Sequence, residues 1–214
     1  MPLYRNQLPQ LSDKLFLSDG GLETPLVFTD GIDLPEFAAF DLLKDKQGAD
    51  RLSDYFHDYL TLTDRYDAGF ILESATWRAN RDWALKIGYT ADELTRINRQ
   101  AIDILLPLRE QYATPTRPFV ISGCLGPRGD GYVPDNQMSS DEAERYHSEQ
   151  IKIFADTEAD LITALTLNYP EEAIGICRAA QAVNMPVVIS FTVETDGKLP
   201  NGSSLQQAIE EVDQ

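Results

Sequence analysis

Short apolar runs alternate along this chain with longer stretches in which apolar residues recur every three or four positions. The short runs are Leu15–Ser18, Phe70–Leu72, Pro118–Ser122, Ala159 to about Leu167, and Val187–Phe191. Bracketed by glycine, proline and polar residues, they read as buried strands. The first periodic stretch, residues about 49–67, carries Leu52, Tyr55, Phe56, Tyr59, Leu60 and Thr63 on one helical face. The second carries Leu94, Ile97, Ala101, Ile102, Leu105 and Leu108, opened by the capping-box pattern Thr90-Ala-Asp-Glu93. Pro107 should kink it or end it early. A third helix opens at Ser139–Glu142 with Ala143, Tyr146, Ile151 and Phe154 on its apolar side. A fourth opens at Pro170, where proline suits a first turn, and turns Ile174, Cys177, Ala180 and Val183 inward. Ser203 and Ser204 cap a last helix, Leu205 to Val212. Glu23 to about Pro35 reads as a long loop broken by Pro25, Gly31 and Pro35, with Phe28, Phe37 and Phe40 packing down as a lid or collar. Residues 1–14 read as an entry arm.

Strands that alternate with helices in this way make βαβ units and a parallel sheet covered by helices. Right-handed crossovers bring all the strand C-termini to one edge. The chemically unusual residues fall at those ends: Asp19-Gly20-Gly21 with Glu23, then Glu73 with Trp77, Gly123 to Gly131, Thr166-Leu-Asn168, and Thr192 to Gly197. Open α/β sheets and α/β barrels build their sites there. The pattern alone gives an α/β protein, a barrel, and an acidic small-molecule site; the length allows one large domain or two small ones.

Charge narrows the partners. The formal net charge is −17, which disfavours nucleic acid, whose phosphates need Lys and Arg, and anionic membrane surfaces. No apolar run reaches the length of about 18 residues that a membrane helix needs. Met1-Pro-Leu-Tyr-Arg-Asn lacks the apolar core of a signal peptide, so the cytoplasm is the default location. Cys124 and Cys177 give no disulfide framework, and on different units they make no zinc site.

Asp19 and Glu23 suit a cationic amine or a hydroxyl-bearing ligand; the alternative is a tight turn with solvated acids. Glu73 is either a ligand contact or a salt bridge that holds the sheet. Trp77 is either an apolar wall for a ligand or a cap on the core. Arg128 suits an anionic group or the surface. His57 and His147 fall within helices and read as surface or satisfied histidines.

The motifs Asp19-Gly-Gly-Leu-Glu-Thr24, Ser74-Ala-Thr-Trp-Arg-Ala-Asn80, Ser122-Gly-Cys-Leu-Gly-Pro-Arg-Gly129, and Ser190-Phe-Thr192 through Asp196-Gly197 resemble, in order, those of the homocysteine S-methyltransferase family. The resemblance runs from about residue 13 to the end of the chain. It implies a (β/α)8 TIM-barrel type fold, of which five βα units are present, and a single barrel domain over residues 1–214, the N-terminal part of that barrel. It implies methyl transfer from a small-molecule donor to the thiol of homocysteine, giving methionine, and a zinc ion held by three cysteines as cofactor. Zinc keeps a thiol ionised at neutral pH, and the thiolate is the nucleophile. By the resemblance Asp19 holds the homocysteine amino group, Gly20 and Gly21 give backbone contact, and Trp77 walls the pocket where the family often has Tyr. Glu23, Glu73, Thr166 and Thr192 complete the candidate substrate-binding set.

Two departures modify this. Ala164-Leu165-Thr166 stands where the family usually has Phe-Glu-Thr, so a carboxylate for the amino group is missing. The zinc cysteines of the family follow strand six and lie near strand eight, beyond the fifth unit. Cys124 matches a position that is usually Ser or Ala, and Cys177 lies in a helix. The expectation is therefore a truncated member, inactive alone for want of zinc ligands, whose open sheet edges favour self-association. The alternatives are a non-catalytic binding or interaction protein, and a metal-independent barrel enzyme using Glu73, Glu194 or Asp196 as acid or base.

Overall fold

A computed structural model describes residues 1–133 and 137–213. In chain order the elements are β1 (Phe16–Ser18), α1 (Glu23–Phe28), α2 (Lys46–Tyr66), β2 (Gly69–Glu73), α3 (Arg81–Lys86), α4 (Ala91–Asp103) and α5 (Leu105–Tyr112). Then come β3 (Phe119–Leu125), α6 (Ser140–Ala155), β4 (Leu161–Leu167), α7 (Pro170–Ala182), β5 (Val187–Phe191) and α8 (Leu205–Val212). The strands form one parallel sheet in sequential order, β1-β2-β3-β4-β5. Each crossover packs helices on the same outer face, so the sheet curls into part of a (β/α)8 barrel. Among the described residues no helix is long and apolar enough to cross a membrane.

Strand alternation divides the sheet into two faces. Phe70, Leu72, Phe119, Ile121, Ile162 and Ala164 face the helices and lie in the main apolar core with Leu52, Phe56, Ile102, Ile151 and Phe154. The inner face carries Ile71 and Glu73, Val120 and Ser122, and Leu161 and Thr163. It is apolar in its lower layer and polar towards the C-terminal edge. There the Ser122 and Thr163 hydroxyls lie 2.7 Å apart.

The helices start where their caps dictate. Thr90 with Glu93, Ser139 with Glu142 and Ser204 with Gln207 form reciprocal capping boxes. The stripe ending at Leu108 breaks into α4 and α5. Pro107 has no N–H to offer the carbonyl of Asp103, where α4 ends.

Three expectations change. Glu23–Phe28 is a helix, not a loop, because Pro25 sits in its first turn, where no N–H is needed. Phe28 is exposed, whereas Phe40 is buried in the core, so the three phenylalanines make no collar. In α7 the buried face is Glu172, Ala173, Ile176, Ala179 and Ala180, leaving Ile174 and Cys177 half-buried. Glu172 is drawn inside by polar partners: its Oε1 accepts from the Arg128 N–H at 2.8 Å and lies 2.8 Å from His147 Nε2.

The entry arm is strapped to the opposite edge of the sheet. Asp160, buried just before β4, accepts from the backbone N–H of Leu3 at 2.7 Å and of Tyr4 at 2.8 Å through Oδ1. Its Oδ2 accepts from Arg109 Nη1 and from the Ile121 N–H, each at 3.0 Å. Arg5 donates to the carbonyls of Ala155, Thr157 and Ala159.

Candidate functional site

The turn after β1 sets the first wall. Gly21 has φ of +104°, a conformation that side chains resist, and it turns the chain from β1 into α1. Asp19 is thereby held at the mouth. Its Oδ2 accepts from the Tyr55 hydroxyl at 2.9 Å and from the Gly21 N–H at 3.4 Å. Tyr55 belongs to α2 and also reaches the Tyr59 hydroxyl, 3.4 Å away. Burial pushes the Asp19 carboxyl above its ordinary range, and these hydrogen bonds pull part of that back.

Glu23 and Glu73 join Asp19. Burial raises Glu23 to about 7; the charge of Asp19 adds to the rise and Arg78 opposes it. Burial likewise raises Glu73 to about 7, the hydroxyls of Ser122 and Thr163 opposing and Asp19 adding. Glu73 Oε2 is buried with no hydrogen-bond partner. None of the three carboxylates forms an ion pair among the described residues. Of the two readings of Glu73, the salt bridge finds no partner among the described residues.

The second wall is built around Trp77. Its indole Nε1 donates to Thr166 Oγ1 at 2.9 Å. A Cβ on Gly126 would meet the Trp77 carbonyl oxygen at 2.4 Å, so the chain after β3 passes the indole only as glycine. Thr166 has φ of +60°, costly for a β-branched residue, at a register shift in β4. The Thr192 hydroxyl donates to the Gly131 carbonyl at 3.0 Å, and Asn168 Nδ2 donates to the Asp130 carbonyl at 2.8 Å. Both threonine hydroxyls are therefore engaged: Thr166 ties Trp77, after β2, to β4, while Asn168 and Thr192 tie the loop after β3 to the ends of β4 and β5. Below, the Ser74 and Thr76 hydroxyls lie 2.6 Å apart. Thr76 donates to the Cys124 carbonyl and Ser74 accepts the Cys124 N–H, which clamps the end of β2 to β3.

The structure thus brings Asp19, Glu23 and Glu73 together, and places Trp77, Thr166 and Thr192 in a neighbouring wall. Gly20 and Gly21 lie beside Asp19. Arg128 turns outward to Asp82, with Nε 2.7 Å from Oδ2. Glu194 and Asp196 are exposed. Tyr55 and Arg78 were not singled out from the sequence. Tyr55 sat in an apolar helical stripe, and only its hydroxyl marked it as more than core.

The sequence model of the homocysteine S-methyltransferase family matches residues 16–214. The chain belongs to that family. Two crystal structures of the homocysteine methyltransferase MmuM from Escherichia coli resemble it in fold. The metallated form has a TM-score of 0.77 at 20% identity, covering 97% of this chain and 73% of that one. The apo form has a TM-score of 0.68 at 19% identity, covering 97% and 70%. No match was found among curated proteins.

The family and the metallated relative raise the question of zinc. Among the described residues no group of three or more His, Cys, Asp or Glu could hold a metal ion. Cys124 lies in the sheet, its thiol pushed well up by burial and then by Glu73, Glu23 and Asp19. Cys177 lies on α7, also pushed up by burial. Both thiols are held away from the thiolate form that binds zinc, so the described residues do not fit a zinc centre.

Proposed function

We propose that this chain, as a single domain, grips the amino end of homocysteine or a closely related amino-acid thiol, to which a small-molecule donor gives its methyl group. One observation carries this reading. Three carboxylates meet at the C-terminal edge of the sheet, each pushed towards protonation by burial, with no cation paired to any of them among the described residues. An ammonium group supplies the missing counter-charge. Asp19 is oriented for it by Tyr55, and Glu73 leans against Thr163 of β4, two residues before Leu165. Glu73 thus carries a carboxylate close to where Leu165 removes one. Trp77 offers an apolar ring to the rest of the ligand, and Thr166 and Thr192 fix the wall around it.

These residues bind and orient; zinc chemistry is not assigned to them. We infer that this chain binds without turnover. Metal analysis is expected to find zinc well below stoichiometric, with no methionine formed from homocysteine. Stoichiometric zinc or turnover would contradict this. β1 and β5 are the edges of the sheet, so self-association is expected, and light scattering that shows only monomer would count against it.

Binding should expel protons. Glu23 and Glu73 titrate near 7 in the folded chain against an ordinary 4.5, so the folded state holds protons that the unfolded state has lost. Their contribution to stability is full below about pH 4.5 and is lost as pH rises to about 7. An ammonium ligand favours the charged carboxylates and lowers both values. Calorimetric titration with L-homocysteine near neutral pH, in buffers of different ionisation enthalpy, should show net proton release. Net uptake would contradict the arrangement.

A second reading rests on Glu73 alone. An unpartnered carboxyl that titrates near 7 suits a general base in a metal-independent enzyme. Turnover without added metal, lost in Glu73→Gln, would favour it.

A further inference from the structure

Arg78 is a cation at the mouth whose guanidinium has no ion-pair partner among the described residues. It follows Trp77, and its guanidinium carbon lies 4.7 Å from the Trp77 ring centroid and 3.6 Å from that of Trp83 in α3. Its Nε is buried without a hydrogen-bond partner. Two other arginines drawn inside are engaged: Arg109 with Asp160, and Arg117 with Asp64. The charges that act on Arg78 through space are Asp130, Glu36 and Glu23, together with Tyr132. They come from the loop after β3 and from the segment after β1, and Arg78 itself follows Trp77 of the site wall. Burial lowers its pKa, but a guanidinium keeps its proton at physiological pH.

Two indoles therefore lie against the cation, while among the described residues its guanidinium enters no ion pair and its Nε has no hydrogen-bond partner. A planar guanidinium matches a carboxylate through two parallel N–H···O bonds. Stacking on tryptophan fixes the plane without consuming those donors. Resting on the reading of the site given above, we propose that Arg78 binds the carboxylate of the ligand, so that Arg78 and the Asp19–Glu23–Glu73 group together receive a zwitterion. Two ligands of the proposed reaction carry this group: the amino-acid thiol, and a zwitterionic methyl donor of the betaine or sulfonium amino-acid type.

The test is isothermal titration of the full chain with L-methionine, L-methioninamide and glycine betaine. Wild type and the variants Arg78→Gln and Arg78→Lys are compared, with thermal unfolding as the check on folding. The amide keeps the ammonium group and lacks the carboxylate. Arg78→Gln is expected to weaken a carboxylate ligand by about 10- to 100-fold while leaving the amide unchanged. Arg78→Lys keeps the charge without the fork and should recover only part of the loss. A loss confined to L-methionine assigns the carboxylate to the acceptor, and one confined to glycine betaine assigns it to the donor. Equal losses for L-methionine and its amide, or no loss at all, overturn the role of Arg78 while the acidic pocket stands. Failure of wild type to bind any of the three overturns the reading of the site itself, and this inference with it.

Discussion

Replacing Asp160 by alanine is expected to destabilise the fold by about 3–5 kcal/mol, the range for removing one partner of a buried ion pair. Asp160 is wholly buried, and its two oxygens accept from Arg109 and from three backbone N–H groups. The variant leaves Arg109 buried with only Glu158 beside it, at 3.4 Å. It also releases the entry arm from the sheet edge. In urea the unfolding midpoint should fall by about 1–3 M for a protein of ordinary denaturant sensitivity. Asp160→Asn keeps the shape but turns an acceptor into a donor facing donors, and should lose a comparable amount. A loss below about 1 kcal/mol would mean that the arm and the arginine find other partners.

Replacing Asp19 by asparagine should act in the opposite sense on stability and ligand. L-homocysteine is expected to bind about 10- to 100-fold more weakly, because a charge-assisted hydrogen bond becomes a neutral one. The fold should be unharmed or slightly firmer, since burial already disfavours the Asp19 charge. Sites that hold unpaired charge for a ligand show this trade between stability and function. Tyr55→Phe, which removes the hydroxyl at 2.9 Å from Asp19, should weaken the ligand less, because the charge remains. Calorimetric affinity and thermal unfolding, measured together, check both halves. Unchanged affinity in Asp19→Asn would remove this carboxylate from the site.

Much of the fold was legible because its signals are local. The strands are apolar runs closed by turn residues, and three helix starts announce themselves through paired caps such as Ser139 with Glu142. Where a signal depends on context, the sequence misled. Pro25 reads as a breaker until its place within the first turn of α1 is known. Glu172 reads as solvent-facing until His147 and the Arg128 N–H, far away in sequence, are seen against its carboxylate. The same divide runs through the site. Asp19, Glu23 and Glu73 were legible because acids at strand ends stand out against apolar interiors. Tyr55 was hidden in a helical stripe, and Arg78 gains its meaning from Trp83 on a helix the sequence did not announce. The left-handed turn at Thr166 has no residue-level signal, since threonine is among the last residues expected there.

The hydrogen bond from Leu3 to Asp160 spans 157 positions of the chain. At a synthesis rate of about 5–20 residues per second, the arm emerges roughly 8–30 seconds before its anchor exists. During that interval β1, β2 and β3 can assemble, but the edge of the sheet that the arm covers stays bare. A polar, proline-punctuated arm is well suited to waiting in water without sticking. Its docking on Asp160 then serves as a late closing step, one that reports that the fourth strand is in place.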